Sequence, residues 1–353
     1  MTENVHPDFP QNPAPGFLLA SQRTESTFEE IPVIDFTDAR SSDASKRRAL
    51  AELILHASVN VGFFYLKNHG MSEKRITGAL EAGKAFFALD TSTKMELDIG
   101  KSSNFKGYTA LLQENVNPAG LGDLHEGFDI GWEPELPSDE DAHTARRITD
   151  AAMSGANVWP SNFPGFKEAV LAYYHDAVRL GKLLFPLFAL ALGLQEDFFD
   201  DKITRPAAIM RLLHYPPQPR HVNVEGRQIG IGEHTDYECF TLLWQDPVGG
   251  LQVRNAAGKW IDAVHIPGTL VVNLGDQFAR WTNDVFKSTP HRAINRSGEE
   301  RYSIPVFFGT DYDVPLEPIS TCVSPENPAK YEVITAGAYV KSRLDATYAN
   351  HAN

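Results

Sequence analysis

The chain has 353 residues, and its 32 basic and 46 acidic side chains give a formal net charge of −14. A hydrophobic share of 42% against 22% charged excludes a chain too polar to bury a core. The acidic balance argues against nucleic acid or an anionic membrane as a partner, and two cysteines, Cys239 and Cys322, exclude a disulfide framework or a paired-cysteine zinc site.

Residues 1–28 are rich in Pro, Asn, Thr and Ser without periodicity and read as a mobile tail. They contain no basic start followed by an apolar stretch, so a cytoplasmic location is expected. Residues 29–353 are expected to form a single domain, mostly helical over 29–203. IPVIDF, from Ile31 to Phe36, reads as a strand. A helix over 45–60 follows, with Leu50, Leu53, Ile54 and Ala57 at helical spacing. GFFYLKNHG reads as a buried strand ending in a turn, and 72–89 as a second helix. Residues 112–160 have few periodic apolar positions and carry eight acidic residues between Asp123 and Asp141, which suggests a long surface excursion or lid. A long helix over 164–192 has Val170, Tyr173, Ala177, Leu180, Leu184 and Leu187 in one stripe that belongs to a core.

After Thr204 the texture becomes β. AAIMRLLHYP, ECFTLLWQD, GLQVRN, KWIDAVHI, TLVVNLGD, HRAINR, RYSIPVFFG and ISTCVS are short apolar or alternating runs punctuated by Gly, Pro, Asn and Asp. Such a series predicts a double-stranded β-helix, or jelly-roll, core over 204–335, closed by a helix over 336–350. The fold class is therefore mainly β with flanking helices.

The chemistry falls in that half. His234 and Asp236 in GEHTDYECF are two residues apart, a spacing that faces one way in an extended chain. His6 and Asp8 share the spacing in the tail, so the pair alone is weak. His291, on the later run KSTPHRAI, adds a third ligand type. Two imidazoles and a carboxylate on one face are the ligand set of non-haem Fe(II) oxygenases. Ten residues beyond His291, Arg301 and Ser303 alternate onto one face as a receptor for a carboxylate, with Pro305 and Phe307 continuing it. Arg211, Leu213 and Tyr215 share a face on another run, while Leu212 and His214 point away. Aliphatic walls are expected from Leu213, Leu242 and Val271. A noncatalytic metal-containing jelly-roll binding protein and a zinc hydrolase remain open on the ligand set alone, although neither accounts for the carboxylate receptor.

In order along the chain, IPVIDF, GFFYLKNHG, RLLHYP, GEHTDY, GGLQV, VVNLGD, STPHR and RYSIPVFF resemble the Fe(II)- and 2-oxoglutarate-dependent oxygenases of the isopenicillin N synthase-like family. Within it, RLLHYP, GEHTDY, ARWTND and RYSI are most similar to the fungal thymine 7-hydroxylase-like enzymes. The resemblance implies Fe(II) on His234, Asp236 and His291, and 2-oxoglutarate on Arg301 and Ser303 with help from Tyr215. It further implies O2 as co-substrate and a substrate cavity formed by Arg211, Tyr237 and Phe307. Phe307 would stack on a flat ring and Arg211 would donate to a carbonyl. The implied reaction oxidises, by hydroxylation, a C–H bond of a small pyrimidine or aromatic metabolite with release of succinate and CO2. A secondary-metabolite oxygenase performing desaturation or ring rearrangement is the alternative.

Overall fold

In the computed structural model, which describes residues 27–115, 122–133, 155–218 and 229–348, the alternating runs pair into two facing sheets. The larger sheet has the order β1 (Val33–Asp35), β2 (Phe63–Lys67), β10 (Thr269–Leu274), β7 (Phe240–Gln245), β12 (Arg301–Phe308), β5 (Ala208–Tyr215), β4 (Glu126–Ile130) and β3 (Gly107–Thr109). The smaller has the order β6 (Ile231–His234), β11 (His291–Ala293), β8 (Leu251–Arg254) and β9 (Trp260–Asp262). β1 and β2 pair in parallel, and the other ladders between these strands run antiparallel.

Strand alternation splits the larger sheet into two chemically different faces. Met210, Leu212, Leu242, Val272, Val306 and Phe308 point to the helices and are fully or almost fully buried in one apolar core. Leu242 is thus a helix-side residue. The neighbouring Leu243 faces the other way, toward the smaller sheet, and so takes the wall role expected of Leu242. Val271 belongs to a second apolar cluster with Phe63, Tyr65 and Val253.

The helical layer comprises α1 (Ala44–Asn60), α2 (Glu73–Phe87), the short α3 (Thr91–Met95) and α4 (Phe166–Ala191), with the three long helices close to their expected bounds. Asp43 caps α1 by accepting from the Ser45 amide at 2.8 Å. Because α1 packs on α4 as well as on β1 and β2, its buried face is shifted toward Ala51, Leu55 and Ser58. Leu53 consequently lies outside it, 57% exposed, contrary to the stripe read from spacing. The α4 stripe is buried as expected. Gly181 lets α4 approach β12, since a Cβ there would come within 2.2 Å of the Phe308 ring.

Two further expectations are corrected. Residues 112–160 are not a surface excursion throughout, because β4 lies inside the larger sheet with all five residues buried. Its acidic residues are absorbed by internal partners, Glu126 by Lys94 at 2.7 Å and Asp129 by Arg211 at 2.7 Å. ISTCVS forms a single 3-10 turn (Ser320–Cys322) rather than a strand, its Cys322 buried against the core. The expected tail up to residue 26, with His6 and Asp8, and residues 116–121 and 134–154 of the expected lid lie outside the described residues. A last helix, α6 (Ala336–Tyr348), follows the short α5 (Asp276–Trp281). No helix among the described residues is long and apolar enough to cross a membrane.

Candidate active site

The cavity-facing side of the larger sheet is a grid of rows set by strand register. Asn273, Thr241, Phe307 and Ile209 form one row across β10, β7, β12 and β5. Leu243 and Pro305 form the next, continued by the paired Arg211 and Asp129 of β5 and β4. Ser303 sits opposite Leu213, and Arg301 opposite Tyr215. The ladder between β12 and β5 skips Ile304 and Pro305, whose proline has no N–H to give. Together with His234 and His291 from the smaller sheet, these side chains line a space of about 190 Å³. For comparison, a cavity of about 150 Å³ admits benzene.

His234 and His291 are direct cross-strand partners on β6 and β11. Asp236 lies two residues past the end of β6, in the unpaired segment that follows the strand. Its Oδ1 lies 3.7 Å from His234 Nε2 and 3.6 Å from His291 Nε2, and the three ligand atoms all lie within 4.8 Å of one another. Each ring is oriented through its other nitrogen, with His234 Nδ1 2.8 Å from the Gly232 carbonyl and His291 Nδ1 3.1 Å from that of Thr289. Asp236 Oδ2 accepts from Thr241 Oγ1 at 2.5 Å and from Asn273 Nδ2 at 2.6 Å, which turns Oδ1 toward the imidazoles. Burial opposes the Asp236 charge, yet His291, His234 and these two donors outweigh it and hold the carboxyl below its ordinary range. Burial, reinforced by His234, pushes the His291 imidazole below its ordinary range. A carboxylate and a neutral imidazole are the forms a metal needs.

Arg301 is 1% exposed at the base of the same cavity. Its Nε donates to the Gly249 carbonyl and its guanidinium lies 4.3 Å from the Tyr215 ring centre. Its Nη1 is buried with no hydrogen-bond partner. Ser303 Oγ donates to Tyr215 Oη at 3.5 Å, so Arg301, Ser303 and Tyr215 form one cluster. A buried cation left with an unmet donor is costly unless an anion completes it. The cluster therefore fits the distal carboxylate of 2-oxoglutarate, and the His-Asp-His set fits a divalent iron.

Tyr237 and Phe307 line the cavity as expected. Arg211 lines it too, but its guanidinium is already engaged. Nη1 and Nη2 donate to the two oxygens of Glu114 at 2.7 and 3.0 Å, and Nε donates to Asp129 Oδ1 at 2.7 Å. The simple picture of Arg211 as a donor awaiting a substrate carbonyl therefore needs revision. Two acids on the cavity wall, Glu114 and Asp129, had no signal as site residues, whereas a third, Glu238, follows directly on the GEHTDY run. Glu114 and Asp129 fell in a stretch without periodicity, and only pairing β4 with β5 brings Asp129 to the wall. Glu238 is buried; burial, with the nearby Asp236 charge, pushes its carboxyl up to about 8. From α6, Val340 and Leu344 also line the cavity, and the Arg343 guanidinium lies 5.0 Å from the Tyr237 ring centre.

Known proteins resemble this chain in sequence and in fold. Residues 31–162 match the family model described as the N-terminal region of non-haem dioxygenases in morphine synthesis, and residues 206–310 match that of the 2OG-Fe(II) oxygenase superfamily. The 2-oxoglutarate-Fe(II) type oxidoreductase hxnY of Emericella nidulans is 36% identical over 321 residues, 90% of each chain. A second, ppzC of Metarhizium majus, is 34% identical over 93% of this chain and 90% of its own. Among solved structures, a full-length Neurospora crassa protein in complex with α-KG and thymine superposes with a TM-score of 0.77 at 32% identity, covering 90% of this chain and 97% of that one.

Proposed function

The chain belongs to the 2OG-Fe(II) oxygenase superfamily, and from that premise we propose that His234, Asp236 and His291 hold the iron, that Arg301, Ser303 and Tyr215 hold 2-oxoglutarate, and that a small flat ring binds against Tyr237 and Phe307 beside Arg211. The chain is an Fe(II)- and 2-oxoglutarate-dependent dioxygenase with O2 as co-substrate. The observation that carries the site assignment is the buried Arg301 Nη1 with no partner, in one cavity with the three metal-ligand atoms. When bound, iron and 2-oxoglutarate supply the oxidative chemistry that converts a substrate C–H bond with release of succinate and CO2.

The protein's own residues bind, orient and exclude water. Thr241 and Asn273 fix the Asp236 carboxylate. Arg301, pinned by Gly249 and stacked on Tyr215, offers a charge-assisted donor in a fixed direction. Leu213, Leu243 and Leu251 keep the cavity walls dry. Phe307, half-buried, supplies a ring face worth about 0.5–1.5 kcal/mol beyond its area to a stacked ligand. That stacking face and the limited space favour a small ring, a pyrimidine or aromatic metabolite, and the Neurospora protein was captured with thymine and with 5-formyluracil.

The test is Fe(II)-dependent succinate release from 2-oxoglutarate across pyrimidines, phenolic acids and aromatic polyketides. Stimulation by one compact ring class is expected. Stimulation only by the bulky fused polyketides, or by none of these compounds, would refute the flat-ring reading.

A further inference from the structure

The row of the cavity wall that crosses β12, β5 and β4 carries a charge arrangement that binding of iron and 2-oxoglutarate does not use. Glu114 and Asp129 converge on one guanidinium, that of Arg211, and Glu114 Oε2 also lies 3.2 Å from the His125 ring, so this wall holds two carboxylates side by side. Asp129 is 1% exposed, and its Oδ2 is buried without a hydrogen-bond partner. Its direction follows from the strand: Phe128 and Ile130 enter the helix-side core, so Asp129 between them faces the cavity opposite Arg211. Burial, only partly offset by Arg211, raises the carboxyl to about 6.

Its place in the grid separates Asp129 from the 2-oxoglutarate anchor. Arg211, its partner, is four residues from Tyr215 along β5, roughly 13 Å at the rise of a strand. The next row in the opposite direction holds Phe307 and Thr241, and Thr241 is the residue that fixes Asp236. A ring lying on Phe307 therefore has the metal site to one side and the acceptor wall of Asp129 to another.

We propose that Asp129 Oδ2 receives an N–H from the substrate, which makes the substrate a small ring bearing an N–H donor or a protonated nitrogen and makes Asp129 a specificity-determining residue. This inference rests on the oxygenase reading of the cavity and narrows its substrate class. Arg211 becomes a positioning residue that holds Asp129 and Glu114 in place. A ring carboxylate is disfavoured twice, because it brings no N–H and adds a charge of the same sign beside two acids. An N-methylated ring keeps its flatness but loses the donor and leaves Oδ2 unmet.

The full-length protein with Fe(II) and 2-oxoglutarate, kept anaerobic, is titrated with uracil, thymine and 2-aminopyridine, with their N-methylated counterparts, and with benzoate and nicotinate, reading the ligand-induced shift in Tm. Dissociation constants for at least one N–H ring should lie about tenfold or more below those of its methylated counterpart and of both carboxylates. In Asp129→Asn that gap should shrink to within about threefold. Equal binding of methylated rings, preference for the carboxylates, no binding of any N–H ring, or an unchanged gap in Asp129→Asn would each overturn the proposal. If the variant does not fold, the wild-type comparison decides alone. Failure of the underlying reading shows separately, as absence of Fe(II)-dependent succinate release in air.

Discussion

At the scale of single residues, the site divides between groups that a metal completes and groups that an anion completes. Replacing His234, Asp236 or His291 with Ala leaves two ligands, so each variant should lose Fe(II) on gel filtration and lose turnover; stoichiometric iron with near-normal succinate release in any of them would remove it from the ligand set. Arg301→Lys keeps the charge but not the planar fork, and Lys cannot reproduce both the bond to Gly249 and the stacking on Tyr215. Apparent affinity for 2-oxoglutarate should fall tenfold or more, about 1.4 kcal/mol or above. An unchanged 2-oxoglutarate dependence would place the carboxylate anchor elsewhere. These residues were legible in the sequence because the register of β12 against β5 is straight enough for alternation to hold, which carries Arg301, Ser303, Phe307, Arg211 and Tyr215 into one cavity. Glu114 and Asp129 were not, because their contacts with Arg211 span 97 and 82 residues of sequence and leave no local periodic trace.

At the scale of elements, β4, β5 and β12 are tied together on the helix side by a buried polar joint. Glu126 of β4 accepts from His214 of β5 at 2.7 Å, from Lys94 at 2.7 Å and from Tyr108 at 2.6 Å, while His214 also meets Glu300 and stacks on Tyr302 with ring centres 4.9 Å apart. Burial works against the charge on both groups. Hydrogen bonds outweigh it, holding the Glu126 carboxyl below its ordinary 4.5 and the His214 imidazolium above its ordinary 6.5. The stabilisation from Glu126 is thus present above about pH 4.5 and is lost as pH falls through its lowered value. That from His214 is complete below about pH 6.5 and is lost as pH rises through its raised value. Between pH 6.5 and 8.5 the Tm of the wild-type protein should therefore decline, and that of His214→Gln should decline less. Parallel slopes for the two proteins would show that His214 is not charged in the fold. The same strands show where sequence pattern and structure part. Runs bounded by Gly and Asp became strands, but ISTCVS, which joins neither sheet, closed into a turn.

At the scale of the whole molecule, the boundary between a helical half and a β half is a feature of sequence order and not of packing. One apolar core contains Ile54 of α1, Phe86 of α2, Tyr173 and Phe185 of α4, and Leu212, Leu242, Val272 and Phe308 of four strands of the larger sheet. Phe185 alone touches Phe199, Phe240, Phe278 and Phe308, so its ring bridges the helical layer, the sheet and α5. Strands β1 and β2 from the helical half complete the larger sheet through the β2–β10 ladder, so removing that half would expose both an edge and the whole helix-side face. Neither half can bury its apolar surface without the other. A chain of this length exceeds the size at which two-state unfolding is usual, and separable halves would unfold in succession. We expect calorimetry to give a single transition whose van't Hoff and calorimetric enthalpies agree, with helical and aromatic circular dichroism lost together. Two resolved transitions, or loss of tertiary signal ahead of the helical signal, would mean that the interface between α4 and the sheet is weaker than the shared core requires.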